Sequence, residues 1–210
     1  MSYFGAKVLH PQTIMPAVDE GIPIRIKNTF APDVAGTLIS AETPAHQYSV
    51  KTVTSITGMT LVSVEGRGMM GVPGVAGRVF TTTARQRINV LMFSQGSSEQ
   101  HICLVVNRQD GEATLKALRR EFEAELERRR IDRVASISEI AIIALVGEGI
   151  KDAPGVAART FGTLGTAGIN ILMIAQGSSE LNLSIVVGEK DAHRSVQLLH
   201  EAFELGKNDV

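Results

Sequence analysis

Two short loops rich in glycine and proline have the composition of a site for a small carboxylate. The first comprises Gly71, Val72, Pro73, Gly74 and Val75, and the second comprises Asp152, Ala153, Pro154, Gly155 and Val156. Each loop leads into a segment with helical periodicity, and the first N–H groups of a helix are unpaired and carry a partial positive charge. Glycine lets a ligand approach the backbone closely, and proline near the first helical turn removes no needed hydrogen bond. These loops therefore favour an anionic ligand group.

Four carboxamide side chains flank the strands predicted after these helices, and they offer neutral acceptors for an ammonium or hydroxyl group. They are Asn89 and Gln95 in the first segment, and Asn170 and Gln176 in the second. The loops and the carboxamides together offer donors for an anion and acceptors for an ammonium or hydroxyl group. Asn before a strand is also a common turn residue, which gives the two Asn residues a purely structural alternative. Asp152 stands where the first copy has Gly71, so the two sites need not be equivalent, and the first can be weaker or empty.

The same region contains two features with competing interpretations. Gly-Ser-Ser-Glu follows both strands, and Glu99 with its neighbours either closes a tight turn or contributes to the ligand site or an interface. The spacing from Gly66 to Gly71 matches a dinucleotide-binding loop, which would indicate an NAD-dependent oxidoreductase. Pro73 follows where a helix should already have begun, no acidic residue ends the next strand to hold a ribose, and Asp152 replaces the third glycine. The oxidoreductase interpretation is therefore the weaker one.

An internal repeat organises the chain. Residues 66–106 match residues 147–187 at a constant offset of 81 without a gap, with 20 of 41 positions identical. Each copy has an apolar strand (59–65; 140–146), a helix (75–87; 156–167), two strands (89–95 and 101–106; 170–176 and 182–187) and a closing amphipathic helix. The same offset pairs residues 51–57 with 132–138. The order in each copy is therefore β, then βαββα.

The predicted fold class is α+β, with two tandem ferredoxin-like βαββαβ modules. Such a module needs one strand after its last helix; residues 132–138 can complete the first copy, whereas too little chain follows the second. The strand at 51–57 fills that gap, so we expect interleaved modules. Module 1 is predicted as residues 57–138, and module 2 as residues 49–56 plus 139–210. Residues 1–48 are too few for an independent core and have the pattern of the tail of a larger domain.

Composition excludes several function classes. A formal net charge of −1 over 210 residues gives no overall attraction to nucleic acid or to an anionic membrane. A single cysteine rules out a disulfide framework and fits a reducing compartment. No apolar run is long enough to span a membrane, and the five histidines lack metal-ligand spacing. We expect a cytoplasmic protein without a metal site.

Several segments resemble one enzyme family. FGAKVLHP (4–11), IPIRIKNTF (22–30) and GTLI (36–39) resemble the end of the catalytic domain of aspartate kinases. The doubled PGVA, IN and QGSSE motifs are similar to the paired ACT regulatory modules of that family, and the likeness covers essentially the whole chain. QGSSE resembles the threonine-responsive branch more than the lysine-only branch.

This resemblance implies a function for the parent enzyme and a narrower one for this chain. The parent would phosphorylate aspartate with ATP and Mg²⁺, and end-product amino acids would inhibit it at the ACT modules. Threonine is the favoured effector, with lysine and methionine as alternatives, and Gln95 and Gln176 are the implied threonine contacts. The likeness also implies an attached kinase domain. Because a βαββαβ sheet exposes an edge strand, we expect the ACT modules to pair side by side, within the chain or across a homodimer, with effector sites at the seam. The family's aspartate- and ATP-binding segments have no counterpart here, so we expect no catalytic residues; an ACT-type sensor subunit for another enzyme is the alternative.

Overall fold

The computed structural model describes residues 9, 11–40, 50–147, 150–176 and 181–206, and the chain divides into two compact units, residues 1–49 and 50–210. In the first unit, helix α1 (Pro11–Asp19) precedes two antiparallel strands, β1 (Ile24–Ile26) and β2 (Thr37–Ile39). Gly36 permits β2 to approach β1 closely because it has no side chain. A Cβ at this position would lie only 2.2 Å from the carbonyl oxygen of Ile26.

The second unit contains both copies of the repeat. Its strands are β3 (Thr52–Glu65), β4 (Met92–Gln95), β5 (His101–Asn107), β6 (Arg133–Val146), β7 (Met173–Ala175) and β8 (Asn182–Gly188). Its helices are α2 (Val75–Arg85), α3 (Arg108–Glu121), α4 (Glu123–Glu127), α5 (Val156–Thr166) and α6 (Ala192–Ala202), with 3₁₀ turns at Arg67–Met69, Ile150–Asp152 and Glu189–Asp191. The predicted element types are confirmed. β4 and β7 begin three residues later than predicted.

The strands of this unit form one antiparallel sheet in the order β4-β5-β3-β6-β8-β7. Its central strands, β3 and β6, have 14 residues each, which is long enough to serve two modules. The first half of β3, Thr52–Ile56, pairs with Ile142–Val146, and the second half, Thr60–Glu65, pairs with Arg133–Ser138. The strand that precedes module 1 therefore completes module 2, which confirms the interleaved fold class. The module boundaries at residues 57 and 139 stay predictions.

Two bulges bend the central strands. The register of β3 against β6 shifts between Ile56 and Thr60. Gly58 (φ 72°) and Glu139 (φ 56°) have left-handed backbones within this segment, and they are the same position in the two copies. A bulge bends a strand without ending it. The segments predicted as separate strands, 51–57 with 59–65 and 132–138 with 140–146, are consequently continuous.

Three apolar clusters follow from the alternation of side chains along the strands. Val62 and Val64 of β3 lie beneath α2 and α3, whereas Leu61 points to the opposite face of the sheet. A second cluster, around Ile143 and Ile185, lies beneath α5 and α6. The third joins residues of both copies: Met59, Leu61, Met92, Val105, Ile140, Ile142, Met173 and Val186. The faces that carry no helix thus pack against each other, and the edge strands β4 and β7 come into contact.

Candidate functional site

In each predicted loop, the glycine directly before the helix is the N-cap residue, and no side chain caps the helix. Gly74 (φ 90°) precedes α2 and Gly155 (φ 91°) precedes α5, and neither helix receives a side-chain hydrogen bond at its first residue. Ser, Thr, Asp or Asn at this position would occupy one of the free amides. Because glycine stands there instead, the first-turn N–H groups of both helices stay available to an anionic ligand.

The remaining loop residues line this opening. Val72, Pro73 and Pro154 are exposed, and Val75 and Val156 form the first residues of their helices. Val156 is 8% exposed and belongs to the core of module 2, which fixes the start of α5. Ala153 packs partly against the same core.

The structure places the carboxamides of each copy at opposite ends of an edge strand. Gln95 is the last residue of β4, and Gln176 directly follows β7. Asn89 and Asn170 precede these strands, after the C-terminal ends of α2 and α5. All four residues are exposed. Since a strand rises about 3.3 Å per residue, β4 alone separates the two ends by about 10 Å.

Gln95 lies at the same end of the sheet as the first loop. Its β5 partner is Ile102, next to His101, which pairs with Glu65 at the end of β3, where the loop segment begins. The amide of Gly66 also donates to the carbonyl of Gln100 at 3.0 Å. Gln95 therefore faces the opening of α2, whereas Asn89 lies at the far end of its own module. The same topology holds in module 2, so the predicted contacts of Asn89 and Asn170 would require a ligand shared with a neighbouring module.

A contact that the sequence did not reveal joins the loop of module 1 to the β4–β5 turn. The amide of Gly71 donates a hydrogen bond of 2.8 Å to Oε2 of Glu99. Glu99 itself has a left-handed backbone (φ 56°), and its own amide donates to the carbonyl of Gly96. In module 2, Asp152 closes a 3₁₀ turn at the position of Gly71. Ser178, Ser179 and Glu180 lie outside the described residues.

Aromatic side chains border the first loop. The rings of Phe80 on α2 and Phe93 on β4 have centroids 4.8 Å apart at an angle of 53°. Phe80 remains 41% exposed, and Val72 is half exposed. The counterparts of Phe80 and Phe93 in module 2 are Phe161 and Ile174. Module 1 therefore presents the larger aromatic surface beside its loop.

In each module, an arginine on the helix that follows the loop contacts the end of the closing helical segment. Arg78 of α2 donates to Oε1 of Glu121 at 2.8 Å and stands 4.5 Å from the ring centre of Phe122. The hydrogen bond from Arg78 is the main reason that the pKa of Glu125 lies below its usual value. In module 2, Arg159 stacks on Phe203 at 5.5 Å, but alanine and glycine replace the two glutamates. Electrostatics therefore holds α2 more firmly than α5.

The dinucleotide-like glycines have a packing role. A Cβ on Gly66 or Gly68 would lie 2.6 Å from the carbonyl oxygen of Arg130. Between these glycines and α2, a 3₁₀ turn buries Met69 in the core. Since α2 begins only after Gly74, no helix directly follows the glycine segment as a dinucleotide loop requires. Close contact with the neighbouring chain accounts for this spacing.

Neither a metal-ligand cluster nor a bilayer-spanning helix occurs among the described residues. No group of three or more His, Cys, Asp or Glu side chains has the arrangement of a metal site. Among the helices described, none has the length and apolarity needed to cross a bilayer.

Comparison with known proteins identifies the family. The ACT domain family matches residues 62–122 and 143–203, which are the two copies of the repeat. The bifunctional aspartokinase/homoserine dehydrogenase of Haemophilus influenzae is 39% identical over all of this chain, which spans 26% of that protein. The chain thus spans about a quarter of the length of the curated relatives that it matches.

Solved structures show the same fold. The aspartate kinase of Clostridium acetobutylicum superposes with a TM-score of 0.82 at 28% identity over 96% of this chain and 46% of that chain. Aspartokinase III of Escherichia coli, in complex with lysine and aspartate, gives a TM-score of 0.75 at 31% identity over 97% of this chain and 44% of that chain. The chain therefore belongs to the ACT domain family, and its two modules correspond to the regulatory ACT region of aspartokinases.

Proposed function

We propose that this chain is the feedback sensor of an aspartokinase and that it binds an end-product amino acid at the glycine-capped loops. Threonine is the favoured effector, ahead of lysine and methionine. The observation that carries the proposal is the uncapped start of α2 and α5 behind Gly74 and Gly155. Gln95 and Gln176 stand at the same ends of their modules as these openings.

The binding mode follows from the chemistry of each group. The effector carboxylate accepts hydrogen bonds from the first-turn amides, where the helix dipole adds a favourable field. The carboxamide oxygen of Gln95 or Gln176 accepts a hydrogen bond from the ammonium or the threonine hydroxyl. Asn89 and Asn170 would enter the site only from a neighbouring module.

Regulation requires that binding change how the modules sit on an attached kinase domain. Because β3 and β6 run through both modules, a ligand-induced change in one module acts directly on the other. Coupling energies in allosteric proteins are typically about 1–3 kcal/mol, enough for several-fold inhibition. In this proposal the kinase domain binds aspartate, ATP and Mg²⁺ in the cytoplasm, and residues 1–48 are the end of that domain. This chain supplies no catalytic residue.

A homodimer through the ACT modules is part of the same proposal. β4 and β7 contact each other within the chain without forming a hydrogen-bonded ladder, so their strand edges keep unpaired backbone groups that a second chain could pair with. Sedimentation equilibrium of the purified chain, with and without threonine, would measure the monomer–dimer balance.

Titration calorimetry with carboxamide variants tests the proposed site. Gln176→Ala should weaken threonine binding about fivefold to thirtyfold, because one hydrogen bond to a charged ligand contributes roughly 1–2 kcal/mol. Gln197→Ala is the matched control: it removes an exposed carboxamide on α6, outside the proposed site, and should leave binding unchanged. Lysine, methionine and NAD are titrated in parallel. Equal affinities of Gln176→Ala and wild type would remove Gln176 from the site, and binding of NAD alone would overturn the proposed function.

A further inference from the structure

In module 1, a carboxylate of the protein already accepts a hydrogen bond from an amide of the loop that leads into α2. Oε2 of Glu99 accepts the hydrogen bond from the amide of Gly71 at 2.8 Å, 28 residues away along the chain. Both residues are exposed and have left-handed backbones. Gly71 belongs to the candidate loop, so the contact lies at the site.

The turn between β4 and β5 holds Glu99 in position. The amide of Gly96 donates to the carbonyl of His101 at 3.1 Å, and the amide of Glu99 donates to the carbonyl of Gly96 at 2.9 Å. The backbone of the turn is thus closed by its own amides, and the side chain of Glu99 is directed at the loop. A non-glycine residue with a left-handed backbone costs about 1 kcal/mol or more. The hydrogen bonds of the turn hold Glu99 in the left-handed conformation in which its side chain contacts Gly71.

We infer that Glu99 determines whether module 1 accepts the effector, by competing with the effector carboxylate for the loop amides. This inference rests on the proposed function. Glu99 takes one donor of the candidate loop, the amide of Gly71, and its negative charge repels an effector carboxylate that approaches the start of α2. Binding in module 1 therefore requires Glu99 to leave Gly71, which weakens this site.

The inference is tested in the full chain with binding to module 2 weakened. Gln176→Ala serves as the background, and Glu99→Ala or Glu99→Gln is added to it. Each double variant should bind threonine about threefold to tenfold more tightly than the background, as removal of one exposed charge-assisted contact predicts. Glu112→Ala in the same background is the control, because it removes one negative charge from α3 without touching the loop. Its affinity should equal that of the background.

The contact itself has a readout that needs no ligand. The amide proton resonance of Gly71 should move upfield in Glu99→Ala, because a bond to a carboxylate is lost. An unchanged resonance overturns the inference. So does unchanged threonine affinity in the Glu99 variants, while weaker binding would mean that Glu99 contacts the ligand instead. Absence of amino-acid binding in the wild type and in every variant overturns the proposed function itself, and the inference with it.

Discussion

Arg108 and Glu189 form an ion pair across the two modules, although they are the same position in the two copies of the repeat. Arg108 directly follows β5 and Glu189 directly follows β8, and β3 and β6 pair between these strands. A pseudo-twofold axis through the central pair brings equivalent positions face to face. Like charges would repel there, so the difference between arginine and glutamate turns repulsion into attraction.

Charge reversal tests this ion pair. Arg108→Glu should lower the free energy of unfolding by about 0.5–1 kcal/mol, since the pair is partly exposed. Glu139 and Lys190 line the same cleft, so the variant places three carboxylates beside one ammonium. Adding Glu189→Arg should restore most of the loss. Urea unfolding at low and high salt measures the free energy of unfolding of both variants. Lys116→Glu is the control, because Lys116 forms a more exposed ion pair with Glu112. Failure of the second reversal to rescue the first would show that the pair contributes nothing specific.

Gly111 and Thr60 fit together at the contact between α3 and β3. A Cβ on Gly111 would lie 2.8 Å from Oγ1 and Cγ2 of Thr60, and that hydroxyl has no hydrogen-bond partner among the described residues. The equivalent pair in module 2 is Ala192 and Ala141, both buried. Gly111→Ala should therefore cost about 1–3 kcal/mol through overpacking. Combining it with Thr60→Ala recreates the pair of module 2 and should recover most of that stability in thermal unfolding. If the stability losses of Gly111→Ala and Thr60→Ala simply add in the double variant, the steric coupling is disproved.

Glutamate and arginine occupy two left-handed positions where the other copy has glycine. Glu139 corresponds to Gly58, and Arg87 corresponds to Gly168. Glu139→Gly and Arg87→Gly should each raise the free energy of unfolding by about 0.5–1 kcal/mol, because relief of strain exceeds the added entropy of the unfolded chain. Glu139→Ala is the control, since it removes the charge but keeps the left-handed backbone. Equal stability of the glycine and alanine variants in chemical unfolding would argue against strain.

The carboxylate of Glu65 gives the fold a defined acid sensitivity. Burial raises the pKa of Glu65, but hydrogen bonds from Arg133 and Ser63 and the charges of Arg133 and His101 outweigh burial and leave the pKa below its usual value of 4.5. A lowered pKa in the folded state stabilises the protein above pH 4.5, and this stability disappears as the pH falls through the lowered pKa. Arg133→Gln should thus destabilise the protein more at pH 7 than at pH 3. A penalty independent of pH would exclude this linkage.

Module 2 should fold only when it receives its strand from β3. Val50 and Val53 are buried in the core that also contains Ala141 and Leu145. A fragment of residues 139–206 should be unfolded by circular dichroism, because one side of β6 loses its partner and this core opens. Residues 50–57 appended through a flexible linker should restore cooperative unfolding, and the same fragment with Val53→Asp should not. A folded 139–206 fragment would show that the modules are independent.

The sequence predicted the architecture well because the repeat provides two samples of each element. The constant offset aligned the strands and helices of both copies, and the missing last strand of module 2 pointed to residues 51–57. The left-handed bulge at Glu139 was not predictable from glutamate itself, although Gly58 at the equivalent position was a signal. As a result, β3 and β6 were each predicted as two strands.

The candidate site was predicted only in part, because the spacing of residues along the sequence does not show at which end of the module each residue lies. The loops and helix starts follow from glycine and proline, but a helix and a returning strand place Asn89 and Gln95 at opposite ends of the module. The contact between Gly71 and Glu99 joins residues 28 positions apart and depends on the geometry of a turn. No periodicity in the sequence encodes it.

The shared central strands restrict how this region can be exchanged between proteins. A crossover that replaced one copy of the repeat with that of a relative would also replace one strand in the core of the other copy. Successful recombination must therefore transfer both copies together, or it must preserve the apolar residues that β3 and β6 contribute to the neighbouring core.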